Sequence, residues 1–210
     1  MKIAIFGATG GTGKQLIEQA LEAGYEVVAY ARNPSKLDIR HEHLKVIQGE
    51  LADAALIESA VSGSKAVISV LGPRGGSKGR SVTQGMKNII ASMKKQGVSR
   101  LVVSSTLSAK DPNDRSDFKT RTMVGIVKFT MRDAYEDIVS AAELVRNSDL
   151  DWTIVRLSIL NNDAKSGKVR AGYVDKGEVG TSISRADVAD FMLKQVEDTK
   201  YLRRAPAISN

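Results

Sequence analysis

Glycines 7, 10 and 13 fall in the string Gly7-Ala8-Thr9-Gly10-Gly11-Thr12-Gly13, between the apolar run Lys2–Phe6 and an amphipathic stretch. A turn of this composition between a strand and a helix lets backbone N–H groups and the positive end of the helix approach a phosphate with no side chain in the way. Thr9 and Thr12 add hydroxyls at the same place, and Gly13 leaves room for the helix to pack closely on the strand. The chemistry expected is the cradling of a pyrophosphate. The competing account is a tight strand-to-helix turn with no ligand.

A second cluster stands at the end of the next apolar run, Val28-Ala29-Tyr30-Ala31-Arg32-Asn33-Pro34-Ser35-Lys36. Sites that hold a ribose 2′-hydroxyl usually place an acid there. This chain has Arg32, with Lys36 four residues on. A guanidinium and an ammonium suit a 2′-phosphate through charge-assisted hydrogen bonds, so NADP(H) is expected over NAD(H). The alternative is that Arg32 is a solvated strand-end residue. Further on, Val70-Leu71-Gly72-Pro73-Arg74-Gly75-Gly76 offers a glycine past which a cofactor could lie close to Leu71 and Gly72. Arg74, on a flexible Gly75-Gly76 hinge, could close over the phosphates; a simple surface turn is the other reading.

The elements that must position these residues alternate. Candidate strands are Lys2–Phe6, Glu26–Ala31, Leu44–Ile47, Ala66–Leu71, Leu101–Ser104 and Trp152–Arg156. They are near-continuous apolar runs, as buried parallel strands are. A first helix shows Leu16, Ile17, Ala20 and Leu21 on one face, with Gly24 as its stop. Others are expected after Asp53, over Val82–Gln96, over Arg132–Asn147 and after Ser184-Arg185-Ala186-Asp187. The alternation predicts an α/β fold: a doubly wound, mostly parallel sheet with helices on both faces, as one domain over residues 1–210. Two stretches, 110–130 and 161–179, read as irregular. Both follow strand ends on the side where such sheets bind ligands, so they are expected to wall a substrate site.

Composition narrows the partners. A chain of 210 residues with no cysteine has no disulfides, thiolate nucleophile or Cys-ligated metal. His41 and His43 sit in a polar connector and read as solvated rather than as a metal pair, so no metal is expected. The net charge is +7 and the isoelectric point about 9.6. The positive charge is not massed in one helix and no aromatics are interleaved with it. An anionic cofactor and a small-molecule, anionic substrate fit this better than nucleic acid or a membrane. With the first strand starting at residue 2 and apolar runs of strand length only, a soluble, cytoplasmic monomer or homodimer is expected.

The opening string GATGGTG resembles the short-chain dehydrogenase/reductase superfamily in its extended and atypical branches. Arg32 with Lys36, Leu71-Gly72-Pro73-Arg74, Asn88–Ala91, Gly97–Ser104, Trp152–Arg156 and Ile183–Met192 bring the resemblance closer. Over nearly its full length the chain is similar to the atypical group of NAD(P)-binding proteins that includes biliverdin-IXβ reductase, also called flavin reductase. That resemblance implies a Rossmann fold and a nicotinamide cofactor; acceptors differ within the group.

It also implies roles for single residues. Gly49-Glu50-Leu51 matches the segment beside the adenine, with Glu50 where Asp is usual. Ser104-Ser105-Thr106 ends a strand where the superfamily places a hydroxyl near the nicotinamide. Thr106 is the candidate catalytic residue, with Ser105 and Ser104 beside it. The superfamily's Tyr-x-x-x-Lys pair, in which lysine favours the ionised tyrosine, is not met: Tyr135 is roughly placed, but four residues on stands Val139. Tyr135 is therefore either a catalyst without its lysine or a helix-face residue. Backbone groups of Leu157, Ser158 and Ile159 match the segment that holds the carboxamide, with Leu157 where proline is common. Arg115, Lys119 and Arg121, with Phe118 and Met123, either grip an anionic substrate or form a solvated basic loop.

Two functions follow. The first is NADPH-dependent reduction of a conjugated acceptor (a flavin, a linear tetrapyrrole or a quinone-like compound), which can take hydride with a proton from solvent. The second is non-catalytic sensing of NADP(H), similar to NmrA-type regulators, suggested by the lost Tyr–Lys pair.

Overall fold

The computed structural model describes residues 1–73, 80–115, 118–174 and 178–210, with no side-chain description at 118–121 and 123. The chain alternates strand and helix through β1 (Lys2–Phe6), α1 (Gly11–Glu22), β2 (Glu26–Ala31), β3 (Leu44–Gln48), α2 (Ala54–Val61), β4 (Ala66–Ser69), α3 (Ser81–Lys95) and β5 (Arg100–Thr106). There follow α4 (Phe118–Thr130), α5 (Arg132–Arg146), β6 (Asp151–Leu157), β7 (Ile159–Asn161), β8 (Arg170–Gly172), β9 (Ser182–Ser184), α6 (Arg185–Lys194) and β10 (Ala207–Ser209).

Eight strands form one sheet in the order β3-β2-β1-β4-β5-β6-β10-β8. All neighbours are parallel except β8, which runs antiparallel to β10 at the edge. The order reverses between β2-β1 and β4-β5, so the carboxyl ends of β1 and β4 open a crevice. This is the doubly wound α/β architecture that the alternation predicted. The central strands are buried on both faces, which is why their sequences do not alternate. One layer packs Phe6, Val67, Leu101, Val103 and Ile154 under α2, α3 and α5. The other packs Ile3, Ile5, Ile68, Val102 and Val155 under α1 and α6. Burial of this kind contributes about 25 cal/mol per Å² of apolar surface.

The structure corrects three expectations. The stretch 110–130 is not irregular throughout: α4 occupies Phe118–Thr130 and packs on α5. Its threonines, Val124, Ile126, Val127 and Gly125 are poor helix formers, so the packing overrides local preference. The stretch 161–179 likewise contains the end of β7 and all of β8, which extends the main sheet at its edge. β4 also ends earlier than expected, at Ser69, leaving Val70 and Leu71 outside the ladder.

Candidate functional site

The glycine turn begins where β1 ends. Gly7 has φ +85°, a conformation that side chains disfavour, and a Cβ there would lie 2.7 Å from the Val70 carbonyl oxygen. The Gly10 N–H donates to the Gly7 carbonyl at 3.1 Å and closes the turn. At Gly13 a Cβ would overlap that same carbonyl, so α1 rests directly on the backbone leaving β1. Gly10 and Gly11 are exposed, and Thr9 and Thr12 flank them half-buried.

The N-terminus of α1 is bare. Gly10 supplies no side-chain cap, and the first turn carries no acid. Other helices are finished differently. Asp53 accepts from the Leu56 N–H of α2 at 3.1 Å, and Ser184 accepts from the Asp187 N–H of α6 at 3.0 Å. The amides of Val82 and Thr83 in α3 donate to the buried Asp137 carboxylate of α5, at 3.0 and 2.7 Å. Such orphan donors, carrying the positive end of the helix dipole, attract an anion.

Arg32 and Lys36 stand exposed at the end of β2, on the sheet side next to this turn. The Arg32 Nε lies 3.8 Å from the Glu50 carboxylate, while Lys36 has no ion-pair partner among the described residues. Lys36 ends a short 3-10 turn, Pro34–Lys36, where the Asn33 side chain accepts from the Ser35 N–H at 3.2 Å. The Glu50 carbonyl accepts from the Tyr30 hydroxyl at 2.8 Å. Burial pushes that phenol up to about 12, with help from the charges of Asp53 and Glu50, so it stays a donor. The Leu51 carbonyl accepts from Asn88 Nδ2 at 2.7 Å, which ties this segment to α3. Lys14 was not anticipated as a neighbour here; its ammonium meets Asp38 at 2.6 Å and pins the connector after β2 to α1.

The other end of the crevice is less uniform. Val70 and Leu71 pack into opposite core layers. Among the described residues, a Cβ at Gly72 would meet nothing within 4 Å. Arg74, Gly75 and Gly76 lie outside the described residues. Along β5 successive side chains alternate. Ser105 falls on the face of Leu101 and Val103, and its hydroxyl is buried without a partner. Ser104 and Thr106 fall on the other face; Thr106 is exposed and accepts from the Ser108 N–H at 3.3 Å. Ser105 and Thr106 therefore do not present their hydroxyls to one face.

Tyr135 lies in the first turn of α5, half-buried. A lysine does stand near it, although not at the spacing expected: Lys128 Nζ of α4 is 5.9 Å from the ring centroid. Leu157, Ser158 and Ile159 leave the end of β6 and enter β7. The Ser158 N–H donates to Ile208 at 3.4 Å and the Ile159 N–H to Thr181 at 3.0 Å. The Ser158 hydroxyl turns inward to the Ile208 carbonyl at 2.8 Å. Those amides are occupied by strand pairing; Leu157 is half-buried beside them.

Behind the site a buried ion pair joins the two flanking loops. Arg156 is fully buried and grips Asp114 with two hydrogen bonds of 2.6 and 2.7 Å, while its Nε donates to the Ala205 carbonyl. Asp114 also accepts from the Val174 N–H at 3.0 Å and the Asp111 N–H at 2.8 Å. Burial pushes the Asp114 carboxyl up, but the hydrogen bonds and the guanidinium charge outweigh it and hold it below the usual carboxylate range. In sequence Arg156 was only the end of an apolar strand. Arg115, next to this pair, is exposed; the side chains of Phe118, Lys119, Arg121 and Met123 lie outside the described residues.

Among the described residues no helix is long and apolar enough to cross a membrane, and no three His, Cys, Asp or Glu side chains gather to hold a metal.

The chain resembles known proteins over most of its length. An oxidoreductase of Pestalotiopsis microspora is 29% identical over 94% of this chain and 80% of its own. A (4-alkanoyl-5-oxo-2,5-dihydrofuran-3-yl)methyl phosphate reductase of Streptomyces griseus is 28% identical over 99% of this chain and 67% of its own. The solved structure of an anaerobillin reductase from Escherichia coli superposes with a TM-score of 0.80 at 21% identity, covering 100% of this chain and 97% of that one. A family model described as NAD(P)H-binding matches residues 7–199. The chain therefore belongs to the NAD(P)H-binding family.

Proposed function

We propose that this chain is an NADPH-dependent oxidoreductase that delivers hydride to a small, conjugated, electron-poor acceptor. One observation carries the reading: the uncapped, acid-free N-terminus of α1 opens beside a strand end that bears Arg32 and Lys36 and no acid of its own. The amides suit a diphosphate and the two cations suit a 2′-phosphate. Glu50, Leu51, Leu71, Gly72 and Ser104 would flank the dinucleotide. The cofactor, when bound, supplies the hydride; the protein's part is to orient it, to hold the acceptor against it and to leave a route for a proton. Thr106, exposed at the end of β5, would position acceptor or carboxamide by its hydroxyl, with the proton coming from solvent. Ser105, buried, would support that strand end from beneath. Tyr135 would take part only with Lys128 as its cation.

An acceptor of this class needs no tyrosinate-type base, which fits the missing Tyr-x-x-x-Lys pair. The name of the Streptomyces relative describes an oxo-dihydrofuran with an alkanoyl group and a phosphate, which is conjugated and anionic. An anionic group on the acceptor would meet Arg115 at the rim. The chain would act as one dinucleotide domain carrying its acceptor site on its own loops. Mixing protein and NADPH with flavin mononucleotide, dichlorophenolindophenol and an unsaturated lactone phosphate, and following absorbance near 340 nm, tests this. Acceptor-dependent loss of NADPH is expected. Tight NADPH binding with no turnover on any acceptor would overturn the catalytic reading and favour an NADP(H) sensor.

A further inference from the structure

Arg185 opens α6, yet its side chain belongs to the crevice. A Cβ on Gly11, the first residue of α1, would lie 2.8 Å from Arg185 Cδ and 3.1 Å from Nε, so the arginine stem runs across the start of that helix. Its Nη1 donates to the Asn161 carbonyl at 3.1 Å and to the Asn162 side chain at 2.7 Å. Both partners are neutral. Among the described residues no carboxylate comes within ion-pair reach of this guanidinium. The nearest acid in sequence, Asp187, is occupied by the amides of Ser166 and Gly167 and by the side chains of Ser166, Ser184 and Asn210.

This placement sets like charge beside like. The guanidinium lies at the positive end of α1, and Arg185 itself is the first residue of α6, at that helix's positive end. A cation in either position is disfavoured by the dipole, and one spanning both is disfavoured twice. An anion between the guanidinium and the α1 amides is attracted to both and offsets these repulsions. We propose that Arg185 is a cofactor contact that holds the diphosphate, clamping it against the amides of Gly11 and Thr12. It would be a second cationic grip, separate from the one at Arg32 and Lys36. Asn161 and Asn162 aim the guanidinium, so the start of the 161–179 segment is fastened to the occupied turn. The inference rests on the dinucleotide reading of that turn and adds a residue to it.

Fragments of the cofactor separate the two grips. ADP-ribose carries the diphosphate without the 2′-phosphate, and 2′-AMP the reverse. Binding of NADP⁺, ADP-ribose and 2′-AMP is titrated calorimetrically into wild type, Arg185→Gln, Arg185→Lys and Arg32→Ala. Arg185→Gln is expected to lose about tenfold to a hundredfold in affinity for NADP⁺ and ADP-ribose, as removal of a charge-assisted contact does, and to keep its affinity for 2′-AMP. Arg185→Lys should recover most of the loss. Arg32→Ala should show the opposite pattern, weakened for 2′-AMP and unchanged for ADP-ribose. Unchanged ADP-ribose affinity in Arg185→Gln overturns the inference and leaves the dinucleotide reading standing. Equal loss of 2′-AMP in Arg185→Gln, or no recovery by lysine, also overturns it, because the arginine would then only prop the fold. Wild type that binds neither NADP⁺ nor ADP-ribose overturns the dinucleotide reading itself.

Discussion

At Gly13 the room for change is set by backbone, not by side chains. A Cβ would press on the Gly7 carbonyl, which cannot swing aside while it accepts from Gly10. Gly13→Ala should therefore lower stability by about 1–3 kcal/mol in chemical denaturation, as overpacking does. Gly72→Ala, whose Cβ meets nothing within 4 Å, should stay within about 0.5 kcal/mol of wild type. Equal effects would mean the turn is looser than described. The tight turn at Gly7–Gly13 was legible in sequence because it stands between an apolar run and an amphipathic one. The place of Arg32 and Lys36 just after β2 was legible because the apolar run before them marks the strand's end. The pairing of the Ser158 and Ile159 amides with Ile208 and Thr181, about 50 and 22 residues away in the chain, was not legible, because it is set by tertiary structure. Arg185 was seen as part of a helix start, and nothing in sequence says that its side chain crosses to Gly11.

At the scale of elements, the strands and helices with strong periodicity stood where the sequence put them. α1, α2, α3, α5 and α6 each carry a cap, a stop glycine or a clear apolar stripe. α4 escaped because its β-branched residues and Gly125 speak against a helix, and because it leans on α5 instead of the sheet. β7, β8, β9 and β10 are three residues each, too short for any period to register. The loops flanking the site are joined through Arg156 and Asp114, which gives a test of their coupling. Asp114→Asn leaves a buried guanidinium without its counter-charge and should cost about 3–5 kcal/mol at neutral pH. The wild-type carboxyl is depressed below its unfolded value of about 3.9, so its contribution is complete above about pH 4 and is lost as pH falls through the folded value. Denaturation at pH 7 and pH 3 should therefore show the gap between wild type and variant shrinking in acid. A gap that holds constant would show that the pair stabilises by packing alone.

For the whole molecule, the sheet order reverses at β1 and β4, the uncapped start of α1 stands over that reversal, and Arg32 and Lys36 follow the next strand. The net charge of +7 adds a long-range attraction for a polyanionic cofactor without deciding where it binds. The decisive measurement is a calorimetric titration of NADP⁺ and NAD⁺ into the wild-type protein and into Arg32→Ala. NADP⁺ should bind at least about tenfold tighter than NAD⁺ in wild type, with the difference gone in the variant. Equal affinities in wild type, or no heat from either dinucleotide, would contradict it.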